Sequence, residues 1–187
     1  MVFRFWAASP SRLKRILTIT VFFFLSILVT IAGILTPLSA EDSKARSEEL
    51  KELRESLKNM NVWDGSLSIF KNNFVICLVM FVPVAGPLFG FYALYNTGSV
   101  VAAETNMDPL LGIAAFLLLF IFPFAWLEFI SYSTAFASSV WLTWSVIRRR
   151  RTSRELVRTG MFIAICAVML LLGALIEAYL LAAFPQP

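Results

Sequence analysis

The chain has 187 residues, 59% hydrophobic and only 15% charged, with a mean hydropathy of +0.78. That charge content is far below the usual quarter, so the composition excludes an ordinary water-soluble globule and indicates a polytopic membrane protein. The net charge of +4 resides in basic clusters flanking apolar runs, which points to the inner membrane surface and its anionic lipids; no nucleic-acid partner is expected.

The first apolar run, Ile16–Leu38, is long enough to span a bilayer. Arg4, Arg12, Lys14 and Arg15 precede it, so the N-terminus is expected in the cytoplasm. Leu38-Ser39-Ala40 resembles a cleavage site. The run is longer than a signal h-region, however, and Leu38 is a poor residue at the −3 position, so an uncleaved anchor is expected.

Residues 39–73 form the polar outer segment and the re-entry. Ser39–Asn61 reads as an amphipathic helix outside the membrane. Pro37 and Ser39 followed by Asp42 supply a start with a capping pair. Leu50, Leu53, Leu57 and Met60 make one apolar stripe. Asp42/Arg46, Lys44/Glu48 and Lys51/Glu55 are opposite charges four apart. The stripe packs on the membrane surface or its own domain, or docks a partner or a second copy. Trp63-Asp64-Gly65-Ser66 reads as a turn at the interface.

Residues 74–184 read as a four-span bundle. Phe74–Ala103 is apolar but broken by Pro83, Gly86, Pro87 and Gly90, and suits one kinked crossing or a re-entrant hairpin. Pro109–Phe122 and Phe124–Ile147 follow, split by Pro123, and the last run lies within Thr159–Phe184. Arg148, Arg149, Arg150 and Arg151 stand between two apolar runs and are held on the cytoplasmic side. A hairpin followed by two full crossings would put that block outside. The expectation is therefore an all-α bundle of about five transmembrane helices, a single domain over residues 1–187. Its N-terminus is cytoplasmic and its C-terminus extracytoplasmic, in the cell membrane.

Glu128 and Glu177 lie one to two turns inside apolar runs, toward the outer face at similar depth. A carboxylate costs about 2.5–3.5 kcal/mol at a helix centre and less near the interface, so something must offset it. Tyr132 is four residues from Glu128, and Asn72 and Asn73 open the Phe74 run from the same side. A polar cluster of Glu128, Tyr132, Asn73 and Glu177 follows. Its roles are helix glue, a protonatable gate or ion site, or plain exposure at the interface. Small residues at four-residue spacing favour close helix packing: Gly86 and Gly90; Ser131, Ala135 and Ser139; Ala174, Ala178 and Ala182.

Catalytic templates fail. There is no histidine, no Walker loop and no base beside a serine, so no catalytic, cofactor or metal residues are assigned. Cys77 and Cys166 lie in separate runs and read as small buried hydrophobes.

From Ile69 to Glu128 the chain resembles the stage II sporulation protein M family of prokaryotic integral membrane proteins. The matching features are Asn72-Asn73, Gly86 and Gly90, Asn96-Thr97-Gly98 and Pro123-Phe-Ala-Trp-Leu-Glu128. Thr97 splits the family's asparagine–glycine pair, and Phe124 and Ala125 replace its histidine and glycine, so no role resting on that histidine carries over. The resemblance makes Glu128 the leading site residue, with Asn73 and Asn96 after it, so the expected intramembrane polar cluster takes in Asn72 and Asn96 as well. It also implies a scaffold, since the named member assembles with peptidoglycan-degrading partners. The functional expectation is a non-enzymatic membrane scaffold or assembly subunit, docking itself or other membrane proteins through the outer helix and small-residue faces. The alternative is a small transporter or channel-like protein with Glu128 as its protonatable site.

Overall fold

The structure is a computed structural model describing residues 11–58, 60–149 and 152–183. Arg150 and Arg151 of the arginine block, and Phe184, lie outside the described residues. Seven α-helices carry the fold, and no strand occurs among the described residues. They are α1 (Ser11–Leu35), α2 (Ala40–Lys58), α3 (Val62–Met80), α4 (Ala85–Glu104), α5 (Pro109–Leu118), α6 (Pro123–Ile147) and α7 (Thr152–Ala183). A 3-10 turn, Leu119–Ile121, continues α5.

Local chemistry sets the boundaries. Ser39 Oγ accepts from the Asp42 N–H at 3.0 Å and donates to the Asp42 carboxylate, the expected capping pair of α2. Asn61 does the same for α3: its side chain accepts from the Asp64 N–H at 2.9 Å and donates to the Asp64 carboxylate. Trp63–Ser66 is thus the first turn of α3 and not an interfacial turn, because Asn61 and Asp64 make a second capping pair three residues apart. Asp108 caps α5, and Pro109 and Pro123 occupy the first positions of α5 and α6, where a missing N–H costs nothing.

Phe74–Ala103 is a helical hairpin. The chain breaks at 81–84, where Val84 adopts φ 66°, an uncommon value for a β-branched residue. The Val84 N–H is held by Thr143 Oγ1 at 3.1 Å, and the Val82 carbonyl accepts from Ser139 Oγ at 2.7 Å. Gly86 turns back beneath the Met80 carbonyl, and Gly90 faces Phe136 and Met80, so both glycines of this pair serve close approach at the break.

The contacts order the helices. α7 lies antiparallel to both α3 and α6, with Gly65 against Ala178, Cys166 against Ser131, and Ser145 beside Thr152. α1 and α4 run in the same direction, with Phe22 against Phe91 and Gly33 against Gly98. α6 is the central post: every residue from Ser131 to Ser139 is buried. α5 starts beside the end of α1, where Gly112 meets Ile34, and descends to place Phe120 against Phe23 and Phe129. There Pro123 starts α6, and Trp126 Nε1 donates to the Phe120 carbonyl at 2.7 Å across the join.

One end of the bundle gathers the arginines. Arg15 donates to both Glu155 oxygens at 2.7 and 2.6 Å and stacks over Trp141. Glu155 also accepts from Arg158 at 2.9 Å, and Arg148 covers Trp144. The opposite end carries α2, tied to α4 by Arg46–Asn96 and Ser47–Ala103 hydrogen bonds of 3.4 Å each. Lys44 and Glu48 form the expected ion pair at 3.8 Å, whereas Arg46 bonds Asn96 rather than Asp42. Leu50 is half-buried, and the side chains of Leu53 and Leu57 lie outside the described residues.

By length and apolarity, two helices among the described residues can each cross a membrane: α1 over Arg12–Leu35, and α7. α4 and α5 pass that test only jointly, and they are bent by 117°, which brings the count to three at most rather than the expected five.

Candidate functional site

α3, α4, α6 and α7 line a partly open cavity of about 460 Å³ in the half of the bundle nearer α2. Helical spacing puts Ser68, Asn72 and Ile76 on one face of α3, with Asn73 and Met80 beside them. α4 contributes Ala93, Leu94 and Thr97. Glu128 and Tyr132, one turn apart on α6, project in from a third side, and Glu177 of α7 closes the fourth. Five residues expected to cluster from sequence, Asn72, Asn73, Glu128, Tyr132 and Glu177, therefore line one cavity.

The site is amphipathic. Exposed Asn72 and Thr97 stand at its mouth, and the buried side chains of Met80 and Leu94 form its floor. Asn72 Nδ2 donates to Asn73 Oδ1 at 3.2 Å, which leaves the Asn72 carbonyl and the Asn73 amide available to the cavity. Tyr132 is 3% exposed and turns its hydroxyl toward the Glu128 carboxylate. Glu128 and Glu177 are half-buried, and among the described residues no lysine or arginine pairs with either. No group of three or more histidine, cysteine, aspartate or glutamate side chains placed to hold a metal occurs among the described residues. The arrangement can accept hydrogen bonds and concentrate negative charge beside an apolar floor.

Asn96 is not part of this cavity. The cavity face of α4 carries residues 93, 94 and 97, whereas Asn96 shares the other face with Tyr92 and Val100. There it lines a surface cleft with Asp42, Arg46 and Glu49 of α2 and accepts from Arg46.

A stage II sporulation protein M family profile matches residues 19–180. The chain belongs to this family. No curated protein and no solved structure matches it significantly. In this stage II sporulation protein M family member, the paired asparagines and Glu128 meet at the cavity, while Gly86 and Gly90 shape the hairpin that forms one wall. Pro123 opens the helix that carries Glu128. Phe124 and Ala125, where the family pattern has histidine and glycine, do not line the cavity; the Phe124 backbone packs on Gly173, and Ala125 is buried. Thr97, the residue that splits the asparagine–glycine pair, does line it.

Sequence reading also missed a pairing. Cys77 of α3 and Cys166 of α7 are buried as expected, but both thiols point at the Ser131 carbonyl, at 4.0 and 3.6 Å. Their separation of 89 positions gave no signal. A membrane-permeant diazene oxidant should join them slowly into one disulfide, the two thiol hydrogens passing to the oxidant. Peptide mapping should show a Cys77–Cys166 cross-link that Cys77→Ser abolishes; thiols that stay free after partial thermal opening would contradict this juxtaposition.

Proposed function

We propose that this protein is a five-pass membrane protein that admits a small solute into the α3–α4–α6–α7 cavity from the extracytoplasmic side and works as a transporter or channel-like protein. The observation that carries this reading is the convergence of Asn72, Asn73, Glu128, Tyr132 and Glu177 on one cavity. Carboxylates inside a membrane are costly and mark solute or proton pathways when they face a wet cavity. Irregular backbone at depth is tolerated where it lines such a site, and the break at 81–84 leads directly into the α4 wall.

The five passes differ from those expected. They are α1, α3, α4, α5 joined to α6, and α7. The hairpin adds a pass, and the junction at Pro123 removes one by making two apolar runs serve as a single traverse. Parity is unchanged, so the arginine end remains cytoplasmic, which agrees with the positive-inside rule. On this reading α2 and the cavity mouth face outward. A water-soluble maleimide applied to intact cells should label Glu48→Cys and spare Arg149→Cys; the reverse pattern would invert the topology.

Liposome flux tests the transport reading. Wild type should conduct protons or a monovalent cation, and Glu128→Gln should lose at least tenfold of that flux. If neither protein moves any cation or proton, transport is refuted.

A second reading, a non-enzymatic scaffold, is favoured by α2. This helix contacts the bundle mainly at α4 and exposes Glu41, Lys44, Glu48 and Lys51 to solvent. Met60, Val62 and Trp63 beside it are exposed apolar side chains suited to a partner or a second copy. A protein that is monomeric and partner-free after gentle detergent extraction would count against this role.

A further inference from the structure

The cavity lining selects a ligand chemistry. Two carboxylates face one space with no lysine or arginine paired to them among the described residues. A cation would offset that charge. Among the described residues no three His, Cys, Asp or Glu side chains assemble there, and about 460 Å³ is far more than one bare ion fills. That volume falls in the range of small organic ligands, roughly 300–1,000 Å³. A floor of Met80, Leu94 and Ile76 beneath a polar wall suits a molecule with a charged head and a short apolar body.

The head group follows from hydrogen bonding. The Glu128 and Glu177 carboxylates, the Asn72 carbonyl and the Ser68 hydroxyl can all accept. A primary ammonium has three N–H donors to satisfy them, whereas a quaternary ammonium has none. Quaternary heads are held instead by cages of aromatic faces, and among the described residues Tyr132 is the only aromatic ring lining this cavity.

We propose that the cavity is a binding site for a primary ammonium compound, its –NH3+ group held between Glu128 and Glu177 and its short alkyl body laid on Met80, Ile76 and Leu94. This rests on the reading that the cavity is where the protein takes up a solute.

The test uses the full chain in lipid nanodiscs and three probes of equal chain length: n-butylammonium, butyltrimethylammonium and 1-butanol. Thermal unfolding midpoints give apparent affinities. n-Butylammonium should raise the midpoint, with affinity at least tenfold above both other probes, and Glu128→Gln or Glu177→Gln should lose that advantage while Asn96→Ala retains it. Two variants guard against a folding defect in either, and the wild-type probe series needs neither. Equal stabilisation by 1-butanol would overturn the ammonium assignment while leaving a solute cavity in place. No shift with any probe would also overturn the ammonium assignment, and the flux assay would then judge the solute reading separately. Retention of n-butylammonium preference in both glutamine variants would show that the carboxylates do not hold the head group.

Discussion

Gly98→Ala should destabilise the protein by about 3 kcal/mol, the upper end for an overpacked core, although it adds a single methyl group. At Gly98 a Cβ would fall on the Thr30 carbonyl of α1, with the Gly33 Cα close behind. The mirror position is as tight: a Cβ at Gly33 would meet the Tyr95 carbonyl and the Gly98 Cα. Backbone cannot rotate aside as a side chain can, so α1 and α4 must separate along their shared length. Gly160→Ala is the internal control. Nothing lies within 4 Å of a Cβ there, and the substitution should add roughly 0.5–1 kcal/mol through helix propensity. Thermal unfolding of the three proteins in one detergent measures both effects. A Gly98→Ala midpoint equal to wild type would mean that α1 and α4 are not in backbone contact.

At the arginine end, Glu155→Ala should cost about 3 kcal/mol, because it strips a half-enclosed guanidinium of its partner. Arg15 and Glu155 are 16% and 12% exposed and joined by two hydrogen bonds. The contact fastens the start of α1 to the start of α7. Arg15→Met combined with Glu155→Met should recover most of the loss, since replacing both charges removes the unpaired one. Additive losses in the double variant would show that the ion pair is not the source of the effect.

Much of this architecture was legible because local rules carried it. Ser39 with Asp42 announced α2, and the arginine block announced one end of the bundle. The polar cluster was legible because Glu128 and Tyr132 share a helix face by spacing alone, and because the paired asparagines enter an apolar run. The hairpin was not. Pro83, Gly86, Pro87 and Gly90 suit a kink and a reversal equally well, and parity was argued from full-length crossings. The resolving element is α5, too short to traverse alone, whose 3-10 end is clamped to Trp126. Tertiary pairings at long separation left no local trace. Cys77 with Cys166, Arg15 with Glu155 and Gly33 with Gly98 each needed the fold to bring them together. Asn96 was misplaced for a simpler reason: a position one residue from Thr97 on a helix points about 100° away.

The contrast between self-sufficient and dependent helices has a consequence for biogenesis. Among the described residues, only α1 and α7 are long and apolar enough to partition into lipid individually. α6, with its buried run of serines and alanines between Ser131 and Ser139, gains little by facing hydrocarbon and much by facing protein. The two outer helices would leave the translocon on their own hydrophobicity, whereas the central ones would be released as a packed set once α7 had emerged from the ribosome. A chain arrested before α7 would then leave α6 and its glutamate without their largest helix contact, as a substrate for membrane quality control rather than a stable intermediate.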